Sequence, residues 1–148
     1  MTDTTDDEQQ NGWDEARDEL RRAYLLVSFG NYDEAIEACH RADDLVDGSH
    51  HLPKTLEGNF LVSRGDVRAA IKTLRKVTKS FPDETLPQIH FAEACYFGGR
   101  KRQGDRALKK AKDLDDGEYR EMLDELEAAW EDVEPDEIPP PLEVGDSN

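Results

Sequence analysis

Apolar side chains recur every three or four residues along most of this 148-residue chain, which is the spacing of one face of an α-helix. Small and apolar residues also recur at a longer spacing of 34 residues, so that Gly58 is followed by Ala92 and Leu74 is followed by Leu108. A fixed period of this length predicts helix-turn-helix units that stack side by side.

The apolar stripes and the breaks between them predict seven helices. The first helix begins at Trp13, and the seventh spans about residues 117–132. Breaks between the others fall at Gly30-Asn31, Asp47-Gly48, Gly65-Asp66, Phe81-Pro82 and Gly98-Gly99. The predicted fold class is all-α. Specifically, we expect a right-handed α-solenoid of three helix-turn-helix units, about residues 16–49, 51–84 and 85–118, plus a C-terminal capping helix.

The two ends of the chain differ in composition from this helical part. Residues 1–11 contain almost no apolar side chains, and residues 133–148 are acidic and contain the run Pro139-Pro140-Pro141. Segments of this kind do not bury enough apolar surface to fold. We therefore expect disordered acidic ends and a repeat domain over residues 12–132.

Hydropathy and cysteine content indicate a cytoplasmic protein. The mean hydropathy is -0.87 and the apolar stretches are short, so no segment is expected to span a membrane. Residues 1–10 have neither the basic part nor the apolar part of a secretory signal. Cys39 and Cys95 fall at inward-facing helical positions, where we expect them to pack as small apolar side chains.

The net charge of -16 is distributed unevenly along the chain. Residues 1–50 carry 14 acidic and 4 basic side chains, residues 51–112 carry 6 and 14, and residues 113–148 carry 15 and 1. We expect the basic middle to meet an acidic partner protein or the chain's own acidic ends. The candidate surface is a basic ridge on the second helices of the second and third units. Its residues are Lys72, Arg75, Lys76, Lys79, Arg102, Arg106, Lys109 and Lys110.

The segment Gly30-Asn31-Tyr32-Asp33-Glu34-Ala35-Ile36, together with the repeat period, resembles a tetratricopeptide (TPR) array. The resemblance implies that small residues let the helices approach closely. These residues are Ala23, Gly58 and Ala92 in the first helices and Ala35, Ala70 and Gly104 in the second helices. The family's aromatic residue early in the first helix is absent here, and its loop proline occurs only as Pro82.

The resemblance also implies that the first helix of each unit lines a concave groove that binds peptides. The groove positions hold Leu20, Tyr24, Val27, Leu52, Thr55, Asn59, Val62, Leu86, Ile89, His90, Glu93, Tyr96 and Phe97. TPR domains that bind the acidic C-terminal ends of heat-shock chaperones use a clamp of basic and asparagine residues in this groove. Here the clamp positions hold Leu20, Tyr24, Leu56, Leu86 and His90, so this co-chaperone role is disfavoured.

An apolar groove with aromatic side chains predicts a non-enzymatic adaptor, scaffold or chaperone-like protein that binds an apolar peptide segment of a partner. In one alternative, the groove packs against the chain's own ends, including the segment 138–142. In another, the protein is a subunit of a self-associating assembly joined through its acidic termini and basic middle. The size and layout are also similar to those of type III secretion translocator chaperones. Nucleic-acid binding is less favoured, because acidic flanks repel phosphate and the basic run lacks aromatic residues for base stacking.

No residue pattern in the sequence indicates catalysis, a metal or a cofactor. His50 and His51 are adjacent, and no spacing typical of zinc ligands occurs. The carboxylate pairs Asp43-Asp44 and Asp115-Asp116 fall at predicted helix ends, and Gly98-Gly99 is an inter-helix turn rather than a phosphate-binding loop. We therefore expect no enzymatic activity, no metal ion and no cofactor.

Overall fold

The computed structural model describes residues 4–133, with side chains from residue 12 onward. Within these residues there are seven α-helices and no strand, which confirms the predicted all-α class. The helices are α1 (Thr4–Ser28), α2 (Tyr32–Leu45), α3 (Leu52–Arg64), α4 (Val67–Ser80), α5 (Thr85–Phe97), α6 (Lys101–Leu114) and α7 (Arg120–Trp130). Each helix packs against the next helix in the sequence.

The helix ends differ from the predicted boundaries at both extremes of the chain. Helix α1 begins at Thr4, whereas the predicted domain starts at residue 12. Helix α7 is shorter than expected and ends at Trp130. The predicted disorder of residues 1–3, and of the acidic tail from residue 134 to 148, concerns residues outside the described part.

The same backbone turn occurs at the ends of α1, α3 and α5. Gly30, Gly65 and Gly99 have φ angles of 80°, 96° and 75°, in the left-handed region that favours glycine. After each glycine the next amide donates to a carbonyl five residues back, as Asp66 does to Leu61 at 2.8 Å. This Schellman arrangement satisfies a carbonyl that the helix end leaves free. The sequence repeat therefore coincides with a repeated turn.

Alternate helices also touch one another. Helix α1 contacts α3, α3 contacts α5, and α5 contacts α7, while each even-numbered helix packs against both of its odd-numbered neighbours. The odd-numbered helices thus form one row. The core consists of two clusters of buried side chains, one built mainly from α1 to α4 and one from α5, α6 and α7.

Helix α7 covers apolar surface at one end of this row. Leu123 and Leu126 of α7 are buried in the same cluster as Ile89 and Ala92 of α5. Leu123 lies 34 residues after Ile89, and Leu126 lies 34 residues after Ala92, so the apolar period of the first three odd-numbered helices continues into α7. Burial of these two leucines stabilises the end of the core.

Two glycines allow helices to approach more closely than other residues would. A Cβ on Gly58 would lie 2.4 Å from Cγ of Leu74, and a Cβ on Gly104 would lie 2.5 Å from Cε1 of Tyr96. Both neighbours are buried, so neither side chain moves aside without disturbing the core. The remaining small residues predicted at helix contacts are fully buried: Ala23, Ala35, Ala70 and Ala92.

We predict that Gly58→Ala lowers the free energy of unfolding by about 1–2 kcal/mol. The added Cβ would lie within 2.4–2.8 Å of three Leu74 side-chain atoms, which places the cost in the upper part of the roughly 1–3 kcal/mol range for overpacking, above a gain in helix propensity of about 1 kcal/mol. Urea unfolding followed by circular dichroism measures the change. The control is Ser63→Ala, an exposed position on the same helix, which should change stability by less than about 0.5 kcal/mol. A Gly58→Ala variant as stable as the parent would contradict the close contact.

Candidate functional site

The predicted groove residues lie on the odd-numbered helices and divide into groups by burial. Tyr24 and Phe97 are 53% and 41% exposed. Seven others are half-buried: Val27, Leu52, Asn59, Val62, Leu86, His90 and Glu93. Because α1, α3 and α5 are neighbours in one row, the accessible residues of this set define a candidate face of the protein.

Four predicted groove residues are buried in the core, and this corrects the predicted site. They are Leu20, Thr55, Ile89 and Tyr96. Leu20 belongs to the buried stripe of α1, and the Thr55 hydroxyl donates to the carbonyl of His51 at 2.9 Å within its own helix. None of the four is accessible to a partner, so we remove them from the candidate face.

Trp130 of α7 contacts two of the predicted groove residues on α5, Tyr96 and Phe97. Its ring stacks on Tyr96 with centroids 5.2 Å apart and meets Phe97 edge-on at 5.4 Å. The Tyr96 hydroxyl donates to Oδ1 of Asp105 on α6 at 2.7 Å. Burial raises the pKa of Tyr96, and its hydrogen bond to Asp105 raises it further. Tyr96 therefore links α5, α6 and α7, while Phe97 remains at the edge.

Tyr24 is positioned by the neighbouring odd-numbered helix. Its ring meets Phe60 of α3 edge-on with centroids 5.6 Å apart, and partial burial raises its pKa. Two exposed apolar residues near it were not predicted as site residues, namely Leu25 (59% exposed) and Phe29 (74% exposed). The sequence signal for them is that both fall outside the buried stripe of α1 and are spaced one helical turn apart.

His90 and Glu93 are two half-buried polar residues of α5 that belong to the candidate face. Nδ1 of His90 is buried and has no hydrogen-bond partner among the described residues, and Oε1 of Glu93 lies 3.9 Å away. An unsatisfied buried nitrogen of this kind costs free energy.

The predicted basic ridge lies on the even-numbered helices α4 and α6. Seven of its eight residues are exposed: Lys72, Lys76, Lys79, Arg102, Arg106, Lys109 and Lys110. Arg75 is half-buried, with its guanidinium carbon 5.9 Å from the centroid of the Phe91 ring on α5. None of the eight forms an ion pair within the described part of the chain.

Two histidines before α3 form part of an aromatic column. Trp13 stacks on His50 with centroids 4.1 Å apart, His50 stacks on His51 at 5.0 Å, and His51 meets Phe81 at 6.1 Å. Burial lowers the pKa of both histidines, and the carboxylate of Glu84 partly opposes this effect. The column connects α1 with the segments that precede α3 and follow α4.

Comparison with known proteins found no matching family model and no matching curated protein. No described helix is both long enough and apolar enough to cross a bilayer. Across the described residues, no group of three or more histidine, cysteine, aspartate and glutamate side chains is placed to hold a metal ion. The functional argument therefore rests on the geometry of the faces described above.

We predict that the protein loses stability as the pH falls from about 7.5 to 5.5. The pKa of a histidine in the unfolded chain is about 6.5, and the pKa values of His50 and His51 in the folded protein are lower. Below about pH 6.5 the unfolded state therefore binds more protons than the folded state. The contribution of the two neutral histidines to stability is complete above about pH 6.5 and is lost as the pH falls toward their pKa values in the folded protein. Thermal unfolding at the two pH values measures the loss.

The double variant His50→Gln/His51→Gln should show a smaller loss of stability between the two pH values. His40→Gln is the control, because that side chain is 55% exposed and lies outside the column. If the double variant retained the full pH dependence, the column would not be its origin.

Proposed function

We propose that this chain is a non-enzymatic binding module of the TPR type. In this proposal three helical hairpins and the capping helix α7 form an α-solenoid, and the odd-numbered helices bind an apolar segment of a partner protein. The observation that carries the proposal is the exposure of two aromatic rings on α1 and α5. Tyr24 and Phe97 keep 53% and 41% of their surface exposed, although each ring is held edge-on by an aromatic ring of a neighbouring helix.

Three features support the TPR type. The left-handed glycine turn recurs at Gly30, Gly65 and Gly99, in register with the sequence period. Each even-numbered helix packs between two odd-numbered helices, as expected where hairpins stack in one direction. Glycine or alanine occupies the predicted close contacts, including Gly58 and Gly104, where a larger residue would overlap its neighbour.

The chemistry of the face favours a segment with one or two large apolar side chains. Rings that are already fixed by packing lose little conformational freedom on binding, and aromatic residues often contribute most of the energy of an interface. Val27 and Val62 are half-buried and can extend the apolar contact, while Asn59 can bond to the backbone of a bound peptide. A peptide bound in an extended or helical form fits this combination.

The state of the two thiols supports a binding role rather than nucleophilic chemistry. Burial raises the pKa of Cys39 to about 12 and that of Cys95 to about 11. Both thiols therefore stay protonated near neutral pH, and the thiolate is the reactive form of cysteine. Both residues are instead part of the packed interior.

The proposal is tested by selecting peptides from a displayed random library on the immobilised full-length protein. We predict that the enriched peptides carry large apolar residues. Tyr24→Ala should weaken their binding at least about tenfold, because it removes one exposed ring, and this corresponds to about 1.4 kcal/mol. Fluorescence anisotropy with a labelled selected peptide measures the affinity.

The matched control is Leu45→Ala, which truncates an apolar side chain of similar exposure (38%) on α2, an even-numbered helix that carries no residue of the candidate face. It should change the affinity by less than twofold. Equal losses in the two variants, or a selection without apolar enrichment, would overturn the proposed site.

A further inference from the structure

The exposed cations of α4 and α6 occupy equivalent helix positions. Lys72 and Arg106 are 34 residues apart, and so are Lys76 and Lys110. Both helices pack against α5, so two rows of cations flank that helix. The repeat that places apolar residues in the core thus also places matching basic residues on the outside.

Both rows lie on helices that pack against α5, and Arg75 of α4 has its guanidinium carbon 5.9 Å from the centroid of the Phe91 ring on α5. Burial raises the pKa of the Cys95 thiol on α5, while the positive charges of Arg100, Arg75 and Arg106 lower it. Arg75 belongs to α4 and Arg106 belongs to α6. One cation from each of these helices thus acts on the same residue of α5, and we call the exposed cations of α4 and α6 together the basic surface.

The spacing of the cations matches an extended chain. Lys72 and Lys76 are four residues apart on α4, which corresponds to a rise of about 6 Å along the helix. Alternate side chains of an extended peptide are about 6.6–7 Å apart on the same side. Carboxylates at every second position of a bound segment can therefore each meet one cation.

The first repeat carries the opposite charge at two of the equivalent positions, whereas the position equivalent to Lys76 holds Arg41. Glu37 precedes Lys72 by 35 residues, and Asp44 precedes Lys79 by 35 residues. Several acids in this part of the chain are already paired. Asp33 pairs with Arg64 at 2.6 Å, Glu19 pairs with Arg41 at 3.2 Å, and Asp43 pairs with Lys54 at 3.8 Å. A second copy of this chain would therefore offer the basic residues an acidic surface that is already partly neutralised. This favours a different acidic protein as the partner.

Nucleic acid fits the basic surface less well than an acidic peptide does. Neither α4 nor α6 contains an aromatic residue on which a base could stack. Glu37 and Asp44 of α2 also occupy two equivalent positions of the first repeat, where they would repel a phosphate backbone that continued past α4.

We propose that the exposed faces of α4 and α6 bind an acidic segment of a partner protein, whose carboxylates pair with Lys72, Lys76, Arg106 and Lys110. This site is distinct from the candidate face of the odd-numbered helices. It does not depend on the proposed apolar peptide site, and its test uses a different probe.

The test measures binding of a fluorescein-labelled peptide of ten glutamates to the full chain by anisotropy at low and high salt. We predict binding that weakens as salt rises. We also predict that Arg102→Glu/Arg106→Glu/Lys110→Glu weakens binding at least about tenfold at low salt, because exposed ion pairs are screened and reversed charges repel. Circular dichroism verifies that the variant is folded.

The matched control is Arg21→Glu/Arg22→Glu/Arg120→Glu, which makes the same change in net charge at exposed positions on α1 and α7. It should alter the affinity by less than about twofold. An equal loss in the control would show attraction by net charge alone and overturn the site. Tighter binding of a 20-base-pair DNA duplex than of the peptide would overturn the choice of partner. Oligomers that sedimentation detects at low salt, and that the Arg102→Glu/Arg106→Glu/Lys110→Glu variant does not form, would also overturn the choice of partner.

Discussion

The close approach of helices at glycine and alanine positions is the constraint on which the rest of this structure depends. At Gly58 and at Gly104 the missing Cβ leaves space that a large buried side chain of the adjacent helix fills, Leu74 in one case and Tyr96 in the other. No helical hairpin of this kind buries its apolar face alone, so each depends on its neighbours for stability. Small residues at matching positions therefore allow successive helices to pack closely against one another.

This packing separates the protein into surfaces with different chemistry. The odd-numbered helices touch one another in a row, and their unburied edge carries the half-exposed rings of Tyr24 and Phe97. The even-numbered helices α4 and α6 present exposed cations such as Lys76 and Lys110. We propose that the first surface recognises apolar side chains and that the second recognises carboxylates, so that one helical scaffold can bind two kinds of segment.

The sequence predicted the helices and the turns well, because their signals are local. Glycine at position 65 permits a left-handed residue, and proline at position 53 suits a first helical turn, whatever the surroundings. The burial of Leu20 and Tyr96 could not be predicted in the same way. The spacing places them near the inner edge of a helix, but the neighbouring helices decide whether that edge is open.

Trp130 is the clearest example of this limit. It lies 34 residues after Tyr96, so the repeat itself carried the information that α7 continues the row. The stacking of Trp130 on Tyr96, however, depends on the position of α7 relative to α5 and α6. The exposure of Phe29 is likewise a tertiary property, since it follows from the absence of a described helix that packs over that end of α1.

Amide hydrogen exchange measured residue by residue tests the central claim most directly. If neighbouring helices stabilise one another, the amides of α2 to α6, each of which has a described helix packed on both sides, should exchange most slowly. The amides of α7, the last described helix, which packs against α5 and α6, should exchange faster by at least about tenfold. Protection that is equal in all seven helices, or greatest in α7, would contradict the account.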